Sequence, residues 1–158
     1  MDKCGISAQN CGKLYMLIGE FRHTIDAKKR LALPAKFRKE LGETVIITRG
    51  LDNCLVVYPE REWETMSDKL GKLPASQAEA RGFARIMLAG AMAGELDKLG
   101  RILVPDYLKN YANLTKNVVI CGLYNRLEIW DAESWDVYRK KMEGEIGDMA
   151  AKLKELGI

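Results

Sequence analysis

The sequence predicts an α+β protein: a pseudo-twofold double-hairpin β-barrel with flanking α-helices. Three observations lead there. First, the chain repeats itself. The run Ile25-Asp26-Ala27-Lys28-Lys29-Arg30-Leu31-Ala32-Leu33-Pro34, then Gly50-Leu51-Asp52-Asn53 and Trp63, returns as Leu96-Asp97-Lys98-Leu99-Gly100-Arg101-Ile102-Leu103-Val104-Pro105, Gly122-Leu123-Tyr124-Asn125 and Trp135, 71 or 72 positions later. Second, each copy reads strand, turn, strand, short helix, strand, turn, strand, helix. Third, four short strands cannot close a sheet alone. Two copies in one chain therefore cover each other's open face, as an internal pseudo-dimer does.

The first copy begins with alternation: Phe21, His23 and Ile25 on one face, Arg22 and Thr24 on the other, the pattern of a half-buried strand. Asp26-Ala27-Lys28-Lys29 is a turn, and Arg30 to Leu33 returns as a strand. Pro34 opens a short helix that Gly42 ends, since proline suits a first turn and glycine a C-terminus. Thr44–Thr48 and Cys54–Tyr58 are strands around the turn Gly50–Asn53, and Pro59 opens a helix with Trp63, Met66 and Leu70 on one face.

Ser76 and Glu79 have the spacing of a capping box for a helix over about 77–92, with Phe83, Ile86, Met87 and Gly90 on one stripe. The second copy repeats strand 94–97, turn 98–100, strand 101–104, a helix from Pro105, and strands 117–121 and 126–130 around the turn 122–125. Asp131 caps a helix with Trp135, Tyr138 and Met142 aligned, and 145–156 is a separate last helix carrying Ile146, Met149, Leu153 and Leu156. The expected organisation is one compact domain. A disordered leader (1–15) precedes motif one (19–62), linking helices (63–92), motif two (93–134) and C-terminal helices (135–158). The leader, with Cys4 and Cys11, reads as an extension upstream of a natural start at Met16 and carries no chemistry.

Composition excludes several classes. His23 is the only histidine and there is no Cys-x-x-Cys, so no zinc pattern exists. No nucleophile–base pair, Gly-rich phosphate loop or buried carboxylate pair is visible, so the chain reads as a non-enzyme with no cofactor, no metal and no evident small-molecule substrate. Cys54 and Cys121 sit in apolar runs and read as buried free thiols, which fits a reducing cytoplasm. No apolar run approaches the length of a membrane span, and no signal peptide is visible.

Charge separates the copies. The formal net charge is only +3, yet residues 22–39 hold seven basic residues (Arg22, Lys28, Lys29, Arg30, Lys36, Arg38, Lys39) against Asp26 alone. The equivalent 93–110 balances Lys98, Arg101 and Lys109 against Glu95, Asp97 and Asp106. A basic turn and ribbon suits phosphates and the major groove of double-stranded DNA. Lys28 and Lys29 stand at the turn tip, Arg30 suits bidentate contact with guanine, and Arg22, Lys36 and Arg38 suit phosphates. Lys98 and Arg101 are the second copy's counterparts, with Arg101 read as more structural than reading because its surroundings are neutral. Asp26 and Asp97 shape the turns by accepting backbone N–H groups. Gly100 fits the left-handed position, where Lys29 in the first copy is strained by about 1 kcal/mol. His23 reads as a packed core histidine, and Tyr58, Trp63, Trp130 and Trp135 as core or subunit contacts.

With these turns in view, the chain resembles the MraZ family, built from two AbrB-like swapped-hairpin motifs. The matching text includes Gly19-Glu20-Phe21, Asp26-Ala27-Lys28-Lys29-Arg30, Leu33-Pro34-Ala35, Thr48-Arg49-Gly50-Leu51-Asp52, Tyr58-Pro59, Leu88-Ala89-Gly90, Glu95-Leu96-Asp97-Lys98-Leu99-Gly100-Arg101 and Ile129-Trp130, from Met16 to about residue 142. Lys29 departs from the glycine usual in the family's first turn. The resemblance implies a cytoplasmic, nucleoid-associated transcriptional regulator. Such a protein binds short direct repeats upstream of its own division and cell-wall gene cluster, acts mainly as a repressor, and assembles as a homo-oligomeric ring. The Arg of the first motif carries over as Arg30. Two other readings remain: a ring-forming protein scaffold, using the small residues of the 77–92 helix as a subunit interface, and an AbrB-like antitoxin, which generally carries one copy and a flexible tail.

Overall fold

Alternating and apolar runs form eight strands and five α-helices in a computed structural model that describes residues 16–158. The expected leader, with Cys4 and Cys11, lies outside the described residues. The first copy supplies β1 (Leu17–Thr24), β2 (Arg30–Ala32), α1 (Ala35–Leu41), β3 (Thr44–Arg49), β4 (Leu55–Pro59) and α2 (Glu60–Gly71). A linking helix α3 (Ala78–Ala89) follows. The second copy supplies β5 (Met92–Glu95), β6 (Arg101–Leu103), α4 (Asp106–Tyr111), β7 (Asn117–Tyr124), β8 (Leu127–Asp131) and α5 (Ala132–Lys152), with a 3₁₀ turn at Lys154–Leu156.

The strands form a six-stranded antiparallel sheet in the order β1-β7-β8-β4-β3-β5 and a separate two-stranded ribbon, β2-β6. Most pairing runs between copies. β1 pairs β7 along its whole length, from Leu17↔Tyr124 to Thr24↔Asn117, and β5 pairs β3. β4 meets β8 at the sheet centre, and β2 pairs β6 through Arg30↔Leu103, Leu31↔Ile102 and Ala32↔Arg101. Within a copy, the ladders are β3·β4 and β7·β8, plus a single bridge Ile25↔Leu31.

That exchange puts the main core between the copies, with a smaller cluster of Cys54, Val119, Cys121 and Trp130 beside it. Leu31, Leu33, Phe37, Val45 and Ile47 of the first meet Ile102, Val104, Leu108, Val118 and Ile120 of the second. Both central residues of the ribbon, Leu31 and Ile102, are 0% exposed. The ribbon therefore turns one face wholly into the core and the other, carrying Arg30 and Arg101, outward.

Several local expectations change. Ser76 does not cap α3; Gln77 holds that position with no side-chain bond. On α3 only Met87 is buried, while Phe83 and Ile86 are exposed. After Asp131 there is one 21-residue helix, not two. Gly144 and Gly147 lie in open space within it. Each weakens the helix by about 1 kcal/mol, too little to break so long a run. Asp131 does cap it, accepting from the Ser134 N–H at 3.5 Å. His23 is half-buried at the sheet rim, beside Thr24 and Asn117, and not a core residue.

Truncating the buried side of the ribbon leaves a cavity that neither copy can refill. Ile102→Ala should lower the unfolding free energy by about 2–5 kcal/mol in urea denaturation, whereas Leu103→Ala, on the outward face, should change it by about 0.5 kcal/mol or less.

Candidate nucleic-acid interface

The two turns that introduce β2 and β6 are built alike. Asp26 Oδ1 accepts the backbone N–H groups of Lys28 (2.9 Å) and Arg30 (2.9 Å), and Asp26 Oδ2 accepts Arg30 Nε at 2.8 Å. In the second copy Asp97 Oδ1 accepts from Leu99 (2.9 Å) and Arg101 (2.8 Å), and Asp97 Oδ2 accepts Arg101 Nε at 2.8 Å. The Arg30 backbone N–H, then its guanidinium, hold the Asp26 carboxyl below its ordinary 3.8, and Arg101 does the same to Asp97 in the same order. Each aspartate thus fixes both the turn and the root of its arginine. Only Nε of each guanidinium is used in that bond, so the rest stays available for an external acceptor.

The turns are also tied across the copies. Lys29 O accepts the Val104 N–H at 2.8 Å, and Gly100 O accepts the Leu33 N–H at 2.9 Å. Lys29 has φ 63° and Gly100 φ 71°, so the left-handed position is real in both. Glycine suits position 100, where φ is positive and the Arg38 guanidinium fills the space a Cβ would take. Arg38 is held on that spot by donating from Nε and Nη2 to Leu33 O, both at 3.1 Å.

Arg30 lies opposite Leu103 and Arg101 opposite Ala32, so the two arginines are diagonal neighbours on the outward face, offset by about 7 Å along the strands. The remaining basic residues are placed very differently. Lys28 and Lys98 are exposed at the turn tips. Lys36 is exposed on α1, its ammonium 5.9 Å from the Phe21 ring centroid. Arg38 is half-buried and committed to Leu33. Arg22 reaches α5, with Nη2 2.6 Å from Asp136 Oδ1 and 3.4 Å from Glu20 Oε1. Its bond to Asp136 raises the Arg22 pKa and lowers that of Asp136. Lys29 Nζ lies 2.6 Å from Asp106 Oδ2 on α4. Of the carboxylates in 93–110, Asp106 thus answers a cation of the first copy while Asp97 answers its own Arg101.

Arg49 escaped the sequence reading. Its guanidinium packs on Tyr107 (5.6 Å) and Tyr111 (5.5 Å) and donates to Ile86 O at 3.3 Å. The only signal was its place in the Thr48–Asp52 run. Cys54 and Cys121 are buried free thiols beside Val119 and Trp130. Burial pushes the Cys121 thiol up to about 12, and burial with the Glu128 carboxylate at 3.1 Å pushes Cys54 higher still, so neither is a poised nucleophile. Trp130, Trp135 and Tyr138 stack under α5, and Tyr58 stacks on Trp63, so these aromatics pack and do not form a base-stacking platform. Among the described residues, no helix is long and apolar enough to cross a membrane and no cluster of three or more His, Cys, Asp or Glu could hold a metal ion.

Comparison with known proteins bears on the duplicated turns directly. The family model described as "MraZ protein, putative antitoxin-like" matches twice in tandem, over residues 16–86 and 87–154. The chain belongs to the MraZ family. It is 48% identical over 143 residues to the transcriptional regulator MraZ of Natranaerobius thermophilus, covering 90% of this chain and 100% of that one. The corresponding protein of Caldicellulosiruptor saccharolyticus is 49% identical over the same coverage, and that of Desulforamulus reducens 47% over 141 residues, covering 89% and 99%. Each MraZ match contains one Asp-x-x-x-Arg turn, one short ribbon strand and three sheet strands, so the repeat of the family model is the repeat of the fold.

The lowered carboxyls set a pH dependence. Because the folded values of Asp26 and Asp97 lie below 3.8, the turns contribute stability above that pH and lose it as pH falls through the folded values. Thermal midpoints measured from neutral pH downward should fall below about pH 4, and Asp26→Asn with Asp97→Asn should flatten that fall.

Proposed function

We propose that this chain is a sequence-specific DNA-binding transcriptional regulator that represses its own division and cell-wall gene cluster. The observation that carries the reading is the outward face of the β2·β6 ribbon. Two arginines project there from aspartate-locked turns, beside a first copy with seven basic residues against one acidic over 22–39. Its relatives' name, transcriptional regulator, agrees with that chemistry.

In this reading the sheet and ribbon together make a small barrel of the AbrB-like swapped-hairpin type, from motifs at 19–62 and 93–134. Arg30 reads base edges, and Lys28, Lys29 and Lys36 bind phosphates with Lys98 and Arg101 as the weaker second site. Arg22 and Arg38 take part as phosphate contacts only if they leave Asp136 and Leu33, so their share is the smaller. The exposed Phe83 (45%) and Ile86 (52%) of α3 supply apolar surface for a homo-oligomeric ring. A ring sets several ribbons on short direct repeats and blocks polymerase by occupancy, in the cytoplasm at the nucleoid.

Fluorescence anisotropy with DNA from upstream of the protein's own gene, against a scrambled duplex at low and high salt, tests this. Binding should prefer the upstream DNA and weaken steeply with salt. Arg30→Ala should remove the preference, about 1–3 kcal/mol for a bidentate base contact, while leaving the thermal midpoint near that of the parent because Asp26 keeps its backbone bonds. Wild-type affinity in a folded Arg30→Ala variant would overturn the assignment of Arg30. Equal affinity for scrambled DNA would favour a protein scaffold instead.

A further inference from the structure

We propose that Asp106 is an intramolecular phosphate mimic: its carboxylate holds Lys29 in the free protein, and a DNA phosphate must displace it before the first turn can bind. The inference rests on the DNA-binding reading above.

Lys29 is an unexpected residue where it stands. Among the described residues five non-glycine positions have positive φ: Lys29, Asp52, Asn53, Asn113 and Tyr124. Three are Asn or Asp, the types that tolerate this region, and a lysine gains no such local compensation. Its ammonium crosses 77 positions of sequence to reach Asp106 at 2.6 Å. The side chains are 44% and 64% exposed, so this is a surface pair that adds little to folding stability.

The pseudo-twofold symmetry supplies the control. The residues equivalent to Lys29 and Asp106 are Gly100 and Ala35, which cannot form the reciprocal pair. The fold closes there without it, so the pair is not something the architecture needs. It occurs once, on the basic side, next to Lys28 and Arg30. Arg30 is itself anchored by Asp26, and no ion pair of Lys28 is recorded among the described residues. The other charge brought over the basic segment from the second copy, Asp136, sits on Arg22 in the same manner.

A carboxylate oxygen and a phosphate oxygen accept the same bond from an ammonium, so exchange at an exposed pair requires no refolding. The exchange weakens every DNA complex by the same factor, so the weak complexes held only by phosphates fall below occupancy first while those also held by base contacts stay occupied.

The test uses the full chain and five proteins: wild type, Asp106→Asn, Asp106→Ser, Lys29→Met and the double variant Lys29→Met with Asp106→Asn. Thermal midpoints confirm that each is folded, and the serine variant keeps a hydrogen-bonding residue at the start of α4. Anisotropy titrations with a scrambled duplex are run across a salt series. Removing the carboxylate should tighten low-salt binding about two- to fivefold with the log–log salt slope unchanged, because Lys29 neutralises the same phosphate in both complexes. The gain should vanish in the Lys29→Met background, where the slope itself should shrink by about 0.9. Unchanged binding in both Asp106 variants overturns the proposal, and so does a gain that persists without Lys29, which would mark Asp106 as a general repulsive charge. Wild-type protein that binds no DNA at low salt overturns the DNA-binding reading itself and this inference with it.

Discussion

The crossing of the two short ribbon strands is the constraint from which the rest of this structure follows. β2 and β6 are three residues each, yet they place Leu31 and Ile102 at the centre of the larger core the two copies share. The carbonyl of each preceding turn then accepts an N–H just beyond the other copy's strand, at Val104 and Leu33. Neither hairpin is closed without the other, so neither copy owns a complete sheet edge or a complete core. The geometry of the turns is set by the same event, because their carbonyls must point across the pseudo-twofold axis.

Function is concentrated on what that crossing leaves outside. A strand alternates its faces, so burying Leu31 and Ile102 forces Arg30 and Arg101 outward. Locking each arginine's root with an aspartate reduces the rotamer freedom it would otherwise lose on binding. The surface is thus preorganised by the core, and its chemistry has diverged between copies without disturbing the core. The first copy gathers cations. The second supplies Asp106 and Asp136, which sit on two of those cations. Two of the first copy's cations are therefore answered from the second copy, and the free positive surface is smaller than residue counts indicate.

Much of this was legible in the chain. The duplication, the strand order within each copy, the Asp–Arg turns, the left-handed position shared by Lys29 and Gly100 and the Asp131 cap all rest on neighbours in sequence, and local chemistry decides them. Other features were not legible. Ser76 and Glu79 have capping-box spacing, but α3 starts at Ala78, with Gln77 as its unbonded cap. The 145–156 run reads as a last helix of its own, but α5 continues unbroken from Ala132 to Lys152, with Gly144 and Gly147 in open space. Arg38 looked like one more phosphate contact until its guanidinium was found on Leu33 and Gly100.

What the sequence determined by itself, then, is the repeating unit: its periodicities, its turn chemistry and the excess of basic residues in one copy. These depend on interactions reaching only a few positions along the chain. Only the tertiary structure decided how the units exchange strands, which face of the ribbon is outward, and which cations already have a carboxylate. Those outcomes come from pairs some 45 to 115 positions apart, such as Ile47 with Met92, Lys29 with Asp106 and Arg22 with Asp136. No local pattern encodes such a pair, because burying one shared core is what brings its members together.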